Sequence, residues 1–331
     1  MDNELYPLVF LPFASKKPWG GDALVKVLGK PFPTDETIGE SWELADAGGQ
    51  SSVIENGHFA GTGLRELLER CPERIMGRKA VKRYGTHFPL LIKFLDIQGK
   101  LSVQVHPDDK YAAQQYSSLG KAEMWYVLDA SPDAVIYMGF NQEITAAEFR
   151  DACKAGTADS FLNVIRPSKG DVLYIKPGTV HAAEGGILIC EIQESSDLTL
   201  RLYDWGRELN PSTARGMQLE EALTLIDFSR FDGTAFHKSK ESKSHTASEC
   251  IVQCPQFTIN HITLFEDIEF DRSNEDSFAV YICIKGGISL CGHKMKPGDT
   301  VLVPAECHQI ALKPLEEASE VLECVVDIDC F

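Results

Sequence analysis

The stretch from Lys169 to Ala182, KGDVLYIKPGTVHA, sets a Gly-Asp opening, a strand-forming run, a Pro-Gly turn and a histidine in order. Its outline returns once. Gly170-Asp171-Val172-Leu173 leads to Pro177 and His181, and Gly298-Asp299-Thr300-Val301 leads to Pro304 and His308. A recurrence of this kind predicts two related β units. The other apolar runs have the same character: FPLLIKFLDI (88–97), LSVQVHP (101–107), EMWYVL (123–128), GILICEI (186–192) and VYICI (280–284) are short, rich in Val and Ile, and punctuated by Gly and Pro. Several follow one another at hairpin distances, which predicts a mainly β chain of sandwich or jelly-roll type rather than a βαβ sheet. Helical spacing is confined to short segments. Leu64, Leu67, Leu68 and Cys71 form one, Leu219, Ala222, Leu223 and Ile226 another, and Thr145 with Glu148 forms a capping box opening a third that carries Phe149 and Cys153.

The polar run from His237 to His245 has almost nothing to bury, so a linker is expected over 236–250, dividing a domain of 1–235 from one of 251–331. A chain of 331 residues also exceeds the size, roughly 250–300 residues, at which single cores stop growing. A net charge of -17 repels nucleic acid and anionic membranes, so neither is an expected partner, and an anionic substrate would need a local cationic cluster. The opening MDNELYPLVFLPF puts acids where an export signal carries Lys or Arg, and no window nears the roughly 18 to 20 apolar residues of a membrane span. A soluble, cytoplasmic protein is the expectation. The 10 cysteines are scattered without a CxxC pair, several within apolar runs such as those of Cys190 and Cys283, as reduced and buried thiols would be.

Three segments carry the chemistry. In LSVQVHPDD, alternation places Ser102, Gln104 and His106 on one strand face and Leu101, Val103 and Val105 on the other. In GKAEMWYVL, Lys121 and Glu123 share a face entering an apolar strand, and His181 follows the Pro-Gly turn described above. Gln104, His106, Glu123 and His181 together offer two imidazoles, a carboxylate and an amide oxygen, a mixed set that suits a divalent metal with positions left open. Zinc is preferred; Fe, Mn, Co and Ni bind similar ligands. In EIQESSDLTLRLYDWGR, Glu191 and Gln193 share one face, and Thr199, Arg201 and Tyr203 lie opposite Leu198, Leu200 and Leu202. Arg201, with Lys121 and the Ser102 hydroxyl, is a donor set of the kind that holds a phosphate; the alternative is an outward arginine paired with Asp204 or another acid. Asp108-Asp109 reads as an acidic helix N-terminus.

QVHPDD, GKAEMWYVL, PGTVHA and EIQESSDLTLRLYDWGR, preceded by WGG at Trp19–Gly21 and IGESWELAD at Ile38–Asp46, resemble the signature blocks of type I mannose-6-phosphate isomerases, in order over most of residues 1–210. The resemblance implies two cupin-type jelly-roll units with a few short helices. It also implies one Zn2+ per chain held by Gln104, His106, Glu123 and His181, with another divalent metal possible in its place. Arg201 and Glu191 would be catalytic, with Lys121 a further possible base, and Ser102 and Lys121 would lie in the substrate pocket at the phosphate. The implied reaction interconverts mannose 6-phosphate and fructose 6-phosphate through an enediol, by a monomer or homodimer acting on a hexose 6-phosphate. With about 58 residues between Glu123 and His181, the chain resembles the shorter bacterial form, which leaves room for a small helical excursion around 145–162. His308 lacks a Gln-x-His partner, so the second unit is expected to be a degenerate cupin without metal. The rival readings are another metal-dependent cupin enzyme and a noncatalytic sugar-phosphate binding protein. Whether the Trp19 block covers the pocket or packs in the core stays open.

Overall fold

The computed structural model describes residues 4–212, 214–240 and 242–326. The apolar runs form antiparallel strands in two double-sheet units of jelly-roll type. In the first, a seven-stranded sheet centred on Leu90–Ile97, Glu123–Ala130 and Ile187–Glu194 faces a five-stranded sheet that contains Val103–Val105, Val135–Phe140, His181–Glu184 and Leu200–Tyr203. The second packs a six-stranded sheet, with Thr258–Leu264, Ala279–Lys285, Thr300–Val303 and Ser319–Val325, against a four-stranded one. The repeat seen in the sequence is structural. Gly170 and Gly298 both adopt positive φ (85° and 96°), and each following aspartate folds back on the turn, Asp171 Oδ2 accepting from Ser168 N and Asp299 Oδ2 from Lys296 N.

Alternation along the central strands explains why they read as apolar on both faces. Leu95, Ile97, Trp125, Val127, Ile187 and Ile189 point into the first unit. Ile92, Phe94, Met124, Tyr126, Cys190 and Ile192 point out, and meet Val280, Ile282, Leu322 and Cys324 of the second unit in one shared core. The second unit thus buries the back of the sheet whose front carries Lys93, Glu123 and Glu191. The helix Ala146–Ala155 opens on the expected Thr145–Glu148 capping box and packs Phe149 against Val103, Val105 and Phe140 on the outer face of the smaller sheet. Leu64–Arg70 buries Leu64, Leu67 and Leu68 as the spacing predicts.

The stretch expected as a linker is more structured than its composition suggests. Phe236–Lys238 pairs with Asp171–Leu173 of the first unit, and Ala247–Gln253 is a strand of the second. Between them Ser239 is buried, its hydroxyl at His261 Nδ1, while His261 Nε2 lies 3.0 Å from Glu320 Oε2. Polar residues there have polar partners that arrive from distant strands, which local composition does not reveal. Leu8–Val9 also crosses the expected boundary, pairing with Val301 and Leu302 of the second unit. Among the described residues no helix is long and apolar enough to cross a membrane, and the cysteines are free thiols, with Cys190 and Cys283 fully buried.

A buried acid at the end of a central strand makes stability depend on pH. Glu194 Oε2 accepts from Ala122 N at 2.8 Å, and Oε1 has no partner. Burial, reinforced by the Asp109 charge, pushes the Glu194 carboxyl up to about 8 from 4.5. Between those values the folded chain keeps a proton that the unfolded chain releases, so this contribution is complete below about pH 4.5 and is lost as pH rises through about 8. Glu194→Gln mimics the neutral form. It is expected to melt several degrees above wild type at about pH 8.5, a gain on the order of 3 kcal/mol, and to match it near pH 5. An equal difference in melting temperature at both pH values would contradict the assignment.

Candidate active site

The inward face of the first unit brings His106, Glu123 and His181 together, all fully buried, with ligand atoms within 4.8 Å of one another. Strand pairing sets this up: Gln104 lies opposite His181, and Glu123 leads the strand beside Ile187–Glu194. His181 Nε2 lies 3.1 Å and His106 Nε2 3.5 Å from Glu123 Oε1. Each ring turns its Nδ1 to a backbone carbonyl, His106 to Leu198 O at 2.9 Å and His181 to Thr179 O at 3.0 Å. Those carbonyls need a donor, so Nδ1 carries the proton and Nε2 presents a lone pair. Burial, together with the Lys121 charge, pushes the His106 imidazole down to about 3 and keeps it neutral.

Lys121 Nζ lies 2.9 Å from Glu123 Oε2 and 3.1 Å from His106 Nε2. Burial would raise the Glu123 carboxyl, yet the Lys121 charge beside it holds it well below the usual range. Neither Glu123 oxygen accepts a well-directed hydrogen bond. Two imidazole lone pairs converging on an under-satisfied buried carboxylate are a donor set that fits a divalent cation. Gln104 turns its amide nitrogen to His181 Nε2 at 3.1 Å and accepts from Ser102 Oγ at 3.2 Å on Oε1. Ligation through its oxygen requires the amide to turn over, an exchange of two atoms of similar size.

Gln104 and Lys121 also line a small cleft with Trp19, Glu40, Lys93, Glu191, Arg201 and Arg215. Glu191 accepts from Trp125 Nε1 at 2.9 Å and lies 3.4 Å from Lys93 Nζ. Burial pushes the Glu191 carboxyl up against the opposing pull of Lys93. Burial alone would push the Lys93 ammonium down, but Glu40, Glu191 and Asp197 around it raise it above an ordinary lysine. The cleft is an array of opposed charges in which one carboxyl, Glu191, is held above the ordinary carboxylate range.

Of the residues singled out in the sequence, Gln104, His106, Glu123, His181, Lys121, Glu191 and Arg201 meet here. Ser102 does not line the cleft: it is 1% exposed and its hydroxyl is engaged by Gln104. Trp19 does both things left open above, lining the cleft while buried in the interior cluster. Two expected face assignments change. Leu101 precedes the strand and packs inward with Trp125, and an irregularity between Arg201 and Tyr203 turns Tyr203 outward to the cluster of Leu200 and Leu202. Strict alternation fails at both because the paired strands are short. The sequence reading missed Lys93, Glu40 and Arg215; a lysine inside LLIKFLDI was the available signal for the first. In the second unit His308 is exposed, its carbonyl accepting from Arg272 N.

Fold and site together define a two-unit cupin protein with a candidate divalent-metal centre in the first unit. Residues 9–146 match the family described as phosphomannose isomerase type I, catalytic domain. The chain is 33% identical over 305 residues to mannose-6-phosphate isomerase ManA of Bacillus subtilis, covering 90% of this chain and 93% of that one. It is 32% identical over 301 residues to the mannose-6-phosphate isomerase of Streptococcus mutans, covering 90% and 92%. The crystal structure of the mannose 6-phosphate isomerase from Bacillus subtilis superposes with a TM-score of 0.83 at 29% identity, over 96% of this chain and 99% of that one. The chain belongs to the type I phosphomannose isomerase family.

Proposed function

We propose that this protein interconverts mannose 6-phosphate and fructose 6-phosphate, with a divalent cation, zinc by preference, held by His106, Glu123, His181 and Gln104. The observation that supports the reading is a buried carboxyl raised above its ordinary range, Glu191, in the cleft that the His-Glu-His cluster adjoins. An aldose becomes a ketose when the proton on C2 leaves and returns to C1 while the C2 hydroxyl proton passes to the C1 oxygen, by way of an enediol. His106, Glu123, His181 and Gln104 would hold a cation that, when bound, would supply Lewis-acid stabilisation to the oxygen that becomes negative. Glu191 takes the proton from C2 and returns it to C1, its raised carboxyl holding it for the transfer. Lys93 opposes charge build-up on Glu191, and Trp125 fixes its orientation. Lys121 stands between Glu123 and the cleft as a donor to the sugar oxygens, and Arg201 binds the phosphate. Burial of the cluster excludes water, which strengthens each of these interactions. A cytoplasmic location belongs to the same reading, supported by the free thiols.

The test is a coupled assay of mannose 6-phosphate conversion on purified protein, before and after chelation and after restoring Zn2+. Turnover lost to the chelator and regained with metal is expected. Turnover that persists unchanged in chelator overturns the metal assignment, and tight binding of mannose 6-phosphate without turnover at any stage would make the chain a binding protein.

A further inference from the structure

The two imidazoles of the site are held by different means. His181 Nδ1 donates to Thr179 O, two residues back in a turn that Thr179 N closes on Lys176 O at 3.0 Å. His106 Nδ1 donates instead to Leu198 O at 2.9 Å, 92 residues away, in the connection between the strands Ile187–Glu194 and Leu200–Tyr203. Leu198 belongs to no strand ladder, so its carbonyl has to be placed by other contacts. Its N donates to the hydroxyl of the buried Ser196 at 3.3 Å. The Ser196 carbonyl in turn accepts from Gln193 Nε2 at 2.5 Å. Gln193 Nε2 also donates to Glu194 O at 2.9 Å, the carbonyl that Ser196 N reaches at 2.7 Å. One chain of hydrogen bonds thus runs from Gln193 through Ser196 and Leu198 to His106.

Gln193 is fully buried in an otherwise apolar stretch of strand, and its Oε1 has no partner. An unmet amide oxygen in the interior is unfavourable, and a leucine of similar size would not incur it. What the glutamine adds is the pair of N–H donors that knit the turn after it. Strand pairing sets Gln193 opposite Glu123, so the turn it organises lies beside the candidate metal centre. We infer that Gln193 is a positioning residue of that centre: acting through Ser196, its amide sets the Leu198 carbonyl that keeps His106 protonated on Nδ1 with Nε2 directed at Glu123. The inference rests on the metal reading for what His106 then binds. Without a fixed acceptor at Nδ1 the ring is free to exchange tautomers and to rotate, and the Nε2 lone pair is offered to a cation only part of the time.

Gln193→Leu and Ser196→Ala test it, separately and together, with two readouts. The first is Zn2+ affinity by competition with a chromogenic chelator. Q193L is expected to weaken it by about 30-fold and S196A by less, and the double variant should lose less than the product of the two because both break one chain. The second is the long-range 1H–15N spectrum of the imidazoles in metal-free protein, where wild-type His106 should show a slowly exchanging proton on Nδ1 and Q193L should lose it. A purely structural Gln193 would lower the melting temperature and leave both readouts alone. Zn2+ affinity within about threefold of wild type in Q193L, an unchanged His106 pattern, or a double variant that loses the full product overturns the inference. Should Q193L not fold, S196A must show the same two changes, and their absence has the same meaning. The metal reading fails separately, through a wild-type protein that binds no Zn2+. The His106 spectrum then decides alone: loss of the Nδ1 proton signal in Q193L supports the positioning role, and a wild-type pattern rejects it.

Discussion

Glu191→Gln is expected to lower kcat for mannose 6-phosphate by about 10³-fold while leaving KM and bound metal close to wild type. Glutamine keeps the shape of the side chain and still accepts from Trp125 Nε1, so the cleft should hold its geometry. It cannot accept the C2 proton. Steady-state kinetics with metal analysis on the same preparation separates this from a folding or metal defect. A fall in kcat of less than about tenfold would hand the proton to another group, and Lys121, 2.9 Å from Glu123 and lining the same cleft, would be the next to substitute.

Lys93→Met should be the most destabilising single change in the cleft, because it leaves carboxylates rather than replacing a pair. The ammonium lies 3.4 Å from Glu191, 3.9 Å from Glu40 and 3.9 Å from Asp197, and sits over the Trp42 ring. Stranding buried carboxylates costs about 3–5 kcal/mol. The midpoint of urea denaturation should fall accordingly, and adding Glu40→Gln to K93M should recover part of the loss by removing one of the stranded charges. If K93M alone shifts stability by less than about 1 kcal/mol, the carboxylates find another partner and Lys93 is not their common counterion.

The fold was legible because its strands announce themselves twice, once through Val- and Ile-rich runs and once through the Gly-Asp turn that opens matching strands in both units. The residues of the candidate metal centre were legible for a related reason: Gln104 lies in one strand with His106 just past its end, and Glu123 and His181 each sit at the start of another. Alternation predicts which faces they share, and strand pairing delivers them. What escaped were groups whose meaning comes from a distant partner. Lys93 is a lone charge in an apolar run until Glu40 and Glu191 arrive from neighbouring strands. Arg215 lies in a loop with no periodicity, and its two-point contact with Asp204, a partner distant in sequence pattern, goes with its place in the cleft. Ser102 shows the converse: its side chain was expected to face a ligand and instead orients Gln104.

The pairing of Leu8–Val9 with Val301 and Leu302 has a bearing on biosynthesis. Leu8–Val9 is made long before Val301 and Leu302, so the sheet of the later unit cannot close until that distant strand has been synthesised. During that interval Leu8 and Phe10 lack the apolar surface that covers them in the finished protein. The two halves are therefore expected to mature as one cooperative body. A fragment cut near residue 250 would expose both this N-terminal segment and the back of the catalytic sheet, and would tend to aggregate rather than survive as an independent enzyme.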